Sequence, residues 1–425
     1  MRTVKQALVS LSIPVRPTRK RRGLLLIPPL AIALIALATA LYLHRRYPTA
    51  SPLESAAYLI HNAGHGHAKL NRQVIGFLPY WRLDDARYMR PDLLSEVIYF
   101  SLTADQSGQL VKTVNGRQEP GWRWWTSPAV RDQIAKTQIA GDKFLLSVAM
   151  QNQKQIEPFL ASSSAQQTLI DNLIDQVKAN RLDGLNLDVE LDGKASDQER
   201  AAFTTFARKL AAALRRQAPS AELSIDLPPL AARDSGLYDV PALTPLFDHA
   251  IVMSYDYYAA GSDVAGPIAP MSGFAEHQYF FDVETTYADY TKTVPKDKLI
   301  MGVPYYGYDW PVKDASKPLS ATLPQNDANG YAEILSYSRM KTDANLKPAD
   351  CHWDPVAEET WCSYTDAKTN TQREAWFEDQ RSIGIKYDFA NSQGLGGVGI
   401  WTLGYDGSYP ELWSLIADTF ASRAN

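Results

Sequence analysis

The stretch Leu182-Asp183-Gly184-Leu185-Asn186-Leu187-Asp188-Val189-Glu190 alternates apolar and polar residues from Leu185 onward. On a β-strand successive side chains point to opposite faces, so Asn186, Asp188 and Glu190 share one face and Leu185, Leu187 and Val189 the other. In a closed sheet wrapped by helices, the apolar set meets the helices and the polar set enters the interior. Two carboxyls this close cannot both ionise freely, so one holds its proton, and a Glu with a raised pKa suits a general acid at neutral pH. Glu190 falls at the C-terminal end of the strand, where barrel enzymes place catalytic groups.

Seven other short apolar runs surround this one: Val74–Leu78, Val97–Leu102, Phe144–Ala149, Leu223–Leu227, Ala250–Ser254, Leu299–Val303 and Val398–Leu403. Amphipathic helices are predicted between several of them. Thr168–Lys178 places Leu169, Leu173, Ile174 and Val177 on one face, and Ala201–Arg216 does the same with Phe203, Phe206, Leu210 and Leu214 behind a capping box at Ser196–Glu199. Strands alternating with helices give a parallel sheet, and eight such units fit an α/β fold of the (β/α)8 TIM-barrel type over residues 72–425. The seventh and eighth runs lie far apart, and a structureless loop of that length is improbable, so an α+β insertion is expected at about 308–380. Cys351 and Cys362 lie within it and are expected to pair, given an oxidising compartment.

That compartment follows from the N-terminus. Residues 1–46 carry nine basic and no acidic side chains, leaving 34 basic against 47 acidic residues in the rest. An acidic globular part argues against nucleic acid as a partner. Leu24–Leu43 is an uncharged run of twenty residues, long enough to span a bilayer of ~30 Å, behind Arg19-Lys20-Arg21-Arg22. Residues 1–23 are therefore read as a cytoplasmic basic segment, 24–43 as a transmembrane anchor or signal segment, and 44–71 as a linker. The catalytic domain is expected to be extracytoplasmic, anchored or secreted. His61, His65 and His67 in the linker have no Cys or acidic partners to complete a shell, and no metal or other cofactor is expected.

The nine-residue string at 182–190 resembles the active-site signature of the family 18 glycoside hydrolases, the chitinase family. Met253-Ser254-Tyr255-Asp256 is similar to that family's M-x-Y-D, Val74–Trp81 to its first strand, Lys298–Gly307 to its seventh and Gly394–Trp401 to its eighth. The resemblance implies a retaining mechanism in which the substrate's own 2-acetamido oxygen attacks C1, so that only N-acetylated sugars react. It further implies Glu190 as proton donor, Asp188 as the group holding the acetamido N–H, and Tyr255 as donor to the acetamido oxygen. Asn186, Met253, Asp256, Trp401, Tyr80 and Tyr305 would bind the sugar.

Two departures stand out. Asn186 replaces the first acid of the commoner D-x-D-x-E, which leaves Asp188 without a carboxyl neighbour to share a proton and predicts a changed pH profile. Ser147-Val148-Ala149-Met150 replaces S-x-G-G, and the larger side chains are expected to narrow the site.

The expected substrate is β-1,4-linked N-acetylglucosamine in chitin or chitooligosaccharides. Peptidoglycan or a glycoprotein glycan is the alternative, and a non-catalytic chitinase-like lectin is the rival of another class. Gly121-Trp122-Arg123-Trp124-Trp125 reads as a loop that could carry a sugar platform. Gly394–Gly399 fits G-x-G-x-x-G but precedes a strand, so it is not a dinucleotide loop. No G-x-S-x-G is present and His249, His277 and His352 are scattered, which gives a Ser-His-Asp hydrolase no support.

Overall fold

The computed structural model describes residues 69–422 apart from Asp192 and Ser235. The expected membrane or signal segment and most of the linker lie outside the described residues, among which no helix is long and apolar enough to cross a membrane.

Eight parallel strands close into a barrel: β1 (Gln73–Pro79), β2 (Glu96–Thr103), β3 (Lys143–Met150), β4 (Gly184–Val189), β5 (Glu222–Leu227), β6 (His249–Val252), β7 (Leu299–Pro304) and β8 (Gly397–Trp401). Each pairs with its neighbours in chain order, and β8 closes on β1 with Val74 opposite Val398. All eight apolar runs of the sequence became barrel strands. Their alternation divides the apolar residues into two populations. Leu185, Leu187 and Val189 of β4 join the large core between sheet and helices, whereas Ile75, Phe77, Ile98, Phe100, Leu145, Ala149, Ile251 and Ile300 fill the barrel interior.

Helix ends follow local chemistry. Asp197–Gln217 begins at the predicted capping box, with Glu199 N donating to Ser196 Oγ at 3.2 Å and Ser196 N donating to Glu199 Oε2 at 2.7 Å. Such a cap contributes about 1 kcal/mol. Phe203, Phe206, Leu210 and Leu214 are buried against the barrel as expected. Gly394 ends the helix Gln380–Gln393 in the left-handed region (φ 70°) and leads into β8. The Gly-rich run thus follows a helix and enters a strand, the reverse of a phosphate loop.

The insertion is a five-stranded antiparallel sheet with the short helix Tyr337–Thr342. In spatial order its strands are Glu333–Ser336, Tyr306–Pro311, Gln372–Phe377, Glu359–Thr365 and Cys351–Asp354. Its first strand follows β7 with only Tyr305 between them. Cys351 lies opposite Cys362 in the outermost hairpin, and the two form a disulfide.

Candidate active site

Asp188 of β4 and Glu190 just past its end converge on a cavity of about 290 Å³ at the C-terminal ends of the strands. Asp188 and Glu190 line it together with Met253, Tyr255 and Asp256 from the turn after β6 and Trp401 from the end of β8. β4 is wholly buried, and its last turn is fixed from two sides. Glu190 N donates to Met150 O at 2.9 Å, and the Tyr238 hydroxyl donates to Val189 O at 2.6 Å. Gln151, just past β3, donates from Nε2 to Glu190 Oε1 at 2.7 Å. These contacts hold the Glu190 carboxyl at the cavity wall.

Asp188 is only 1% exposed, and among the described residues neither carboxyl oxygen has a hydrogen-bond partner. Burial, then the charges of Glu190 and Asp226, push its pKa well above the usual carboxylate range. Asp188 therefore retains its proton where an ordinary Asp would be ionised. Burial also raises the Tyr255 phenol, reinforced by the surrounding carboxylates, so that it stays a neutral hydroxyl donor. Tyr255 owes its place to Gly302 of β7. A Cβ there would lie 2.5 Å from Val252 O and 2.9 Å from Tyr255 Cε1. Ser254 anchors the same turn by donating to Gly302 O at 2.8 Å.

Asp256 adopts a left-handed conformation (φ 58°), which a short polar side chain tolerates better than most. The Tyr306 and Tyr308 hydroxyls donate to its two oxygens at 2.5 and 3.3 Å. Desolvation outweighs these bonds and pushes its carboxyl up to about 6. Trp401 packs edge-on against Phe100 at 4.7 Å and tilted on Phe77 at 5.6 Å, presenting an apolar floor.

Three of the predicted sugar-binding residues do not reach the cavity. Tyr305 is 1% exposed and hydrogen-bonds through its hydroxyl to Tyr387 of the helix Gln380–Gln393, while Tyr306 takes the cavity position beside it. Tyr80 opens the 3-10 helix Tyr80–Tyr88 and packs edge-on against Trp81, which is the cavity residue of that pair. Asn186 is fully buried beneath the cavity, where its Nδ2 donates to Ser224 Oγ at 3.1 Å and Asp226 Oδ1 at 2.9 Å.

The supposed aromatic loop at 121–125 belongs to the helix Pro120–Trp125. It is capped by Glu119, and Trp125 is buried against Tyr99. Nor does Met150 narrow the site, because strand alternation turns it toward the helices; of the substituted pair only Ala149 faces inward.

Sequence reasoning missed Asp226, Gln151 and Tyr308, all of which line the cavity. Asp226 had a signal. Glu222-Leu223-Ser224-Ile225-Asp226-Leu227 alternates as β4 does, with Ser224 and Asp226 inward.

Among the described residues, one group of side chains is close enough to share a metal ion: Glu96, Glu222 and His249, at the first positions of β2, β5 and β6 and so at the opposite end of the barrel. The Lys143 ammonium pairs with Glu222 there and supplies the positive charge a cation would bring.

Residues 73–406 match the model of the glycosyl hydrolases family 18, and the chain belongs to that family. It is 26% identical over 268 residues to the cortical fragment-lytic enzyme of Bacillus subtilis, covering 61% of this chain and 55% of that one. It is also 26% identical over 240 residues to di-N-acetylchitobiase of Mus musculus, covering 54% of this chain and 62% of that protein. The matched region thus spans a little over half the length of these relatives. Among solved structures, the Group IV chitinase of Ostrinia furnacalis superposes with a TM-score of 0.68 at 18% identity, over 82% of this chain and 99% of that one. The spore cortex-lytic enzyme of Bacillus cereus gives 0.62 at 21% identity, over 83% and 76%. At those identities the likeness is one of fold.

Proposed function

We propose that the protein is a retaining glycosidase that cleaves β-1,4 linkages of N-acetylglucosamine polymers, with chitin or chitooligosaccharides as substrate. The observation that carries this reading is the convergence of Glu190, Asp188 and Tyr255 on one cavity at the strand ends. Glu190 gives its proton to the departing glycosidic oxygen while the acetamido oxygen attacks C1. The same carboxylate then takes a proton from the water that opens the oxazolinium ion. Asp188 faces the acetamido N–H and the positive ring. The neutral Tyr255 hydroxyl donates to the acetamido oxygen and holds it in line for attack. Trp401 lies under the sugar ring.

Peptidoglycan is the second reading. The extracytoplasmic location that we propose favours it. We place the catalytic domain outside the cytoplasm, anchored by Leu24–Leu43 or released from it, on the charge asymmetry of the N-terminus. The presence of Glu190 disfavours a sugar-binding protein without turnover.

Incubation of the protein with chitin oligomers and, separately, purified peptidoglycan, with products identified by mass, tests the substrate. Proton NMR of the first-formed anomer tests retention. Binding of the oligomers with no product from either polymer would support the lectin instead.

A further inference from the structure

Asp188 has the carboxyl neighbour that its own strand lacks. β4 and β5 are paired with Asn186 opposite Ser224 and Leu187 opposite Ile225. The next residues on the two strands, Asp188 and Asp226, share the inward face with Asn186 and Ser224, and the Asp226 charge acts on Asp188. Both are buried, at 1% and 3% exposure, and both line the cavity. Asn186, the residue standing where the signature usually has an acid, donates its amide N–H to Asp226 Oδ1 at 2.9 Å and to Ser224 Oγ at 3.1 Å. Its amide is thus committed to β5, and the two Asp188 oxygens are left without a hydrogen-bond partner among the described residues.

We infer that Asp226 is the proton-sharing partner of Asp188, a positioning residue that performs from β5 what the first acid of D-x-D-x-E would perform from β4. The inference rests on the proposed glycosidase chemistry for its consequence, though not for its geometry. Two neighbouring carboxyls in a buried site cannot both ionise freely, so the pair retains a proton. Burial pushes both carboxyls up, and the Asn186 N–H opposes that rise on Asp226 alone, so in the free protein the proton that the pair shares resides on Asp188. As positive charge develops on the sugar ring, Asp188 passes its proton to Asp226. Asp188 becomes the carboxylate facing the ring and Asp226 becomes the neutral acid, with no net change in protons. The other titratable groups facing the pair are Glu190 from the end of β4, Tyr255 from the turn after β6 and the Tyr238 phenol.

The test compares the wild-type protein with Asp226→Asn and with the double variant Asn186→Asp/Asp226→Asn, which returns the acid to β4. Two readouts are taken: the pH profile of kcat on a chromogenic GlcNAc oligomer, and the titration of the Asp188 carboxyl. The latter is read by infrared difference spectroscopy of each protein against its Asp188→Asn counterpart. Asp226→Asn is expected to lower kcat by about 10²-fold and to move the Asp188 titration down by about one pH unit or more. The double variant is expected to recover both. A single variant with the wild-type titration midpoint and profile would overturn the pairing, as would a double variant no better than the single. If the wild-type protein turns over no GlcNAc substrate, the glycosidase reading fails by itself, and the carboxyl titration still decides whether Asp226 and Asp188 share a proton.

Discussion

Gly302 and Tyr255 compete for one volume: the tyrosine ring occupies space that any side chain on the glycine would need, with Cε1 2.9 Å from the position of a Cβ. Gly302→Ala would also press on Val252 O at 2.5 Å, and backbone cannot yield as a flexible side chain does. We expect this substitution to cost about 1–3 kcal/mol of stability. If Tyr255 orients the acetamido group as proposed, the substitution should also lower kcat by about tenfold or more, since small misplacements of such a group are felt strongly. Thermal unfolding and steady-state kinetics on a GlcNAc oligomer measure the two effects. Full activity in a normally folded Gly302→Ala protein would show that Tyr255 need not sit where it does.

Glu190→Gln keeps the shape of the side chain and removes the carboxyl that the proposed mechanism uses as proton donor. A loss of about 10²–10⁴-fold in kcat is expected, the usual worth of a general acid, with oligosaccharide binding retained. Calorimetric titration of the variant with a chitin oligomer separates the two. Retention of most activity would remove Glu190 from the mechanism.

Tyr255→Phe deletes one hydroxyl from a site that is otherwise unchanged. If that hydroxyl orients the acetamido oxygen, kcat should fall by about 10–10²-fold, with a smaller change in KM. The opposite split, with KM rising and kcat intact, would make Tyr255 a binding residue only.

Asp142, just ahead of β3, provides a pH test of stability. Burial and then neighbouring Asp92 push its carboxyl up to about 8. An acid that holds its proton to higher pH when folded than when unfolded loses native stability as pH rises. The loss begins in the ordinary carboxylate range and is complete above about 8. Asp142→Asn should therefore raise Tm by about 2–4 °C at pH 9 and change it little at pH 4. An equal gain at both pH values would place its origin elsewhere.

The Cys351–Cys362 bridge closes a short hairpin at the edge of the inserted sheet, while the cavity wall is built from the strands at its other side. Reduction should raise amide exchange in Cys351–Thr365 and leave kcat within about twofold, because the bridge restricts only a local loop. A collapse of activity on reduction would tie that edge to the cavity.

Most of the barrel was legible because each strand announces itself by the same two-residue alternation, and β4 carried its chemistry in a single string. Where parity could be counted without interruption, the side-chain directions followed: Asn186 and Asp188 inward, Leu185 and Leu187 outward. Where the chain broke register, they did not. Tyr305 stands between the end of β7 and the first inserted strand, so counting from β7 cannot decide whether it or Tyr306 faces the cavity. Glu119-Pro120 was a helix start hidden by the tryptophans after it, an acidic N-cap followed by proline in the first turn. Asp226 was visible in its strand but isolated. Its significance emerges only when β5 is laid beside β4, a relationship between distant segments that no single stretch of sequence contains.

The inserted sheet lends Tyr306, Tyr308 and Ile334 to the cavity, whereas Glu190 and Asp188 come from the barrel. Ile334 sits on the sheet's edge strand and is 48% exposed, so no further strand pins it in place. On the proposed mechanism, reach and reactivity are thereby housed on separate scaffolds. Remodelling that one border strand can retune which glycan is admitted while the bond-breaking apparatus stays as it is.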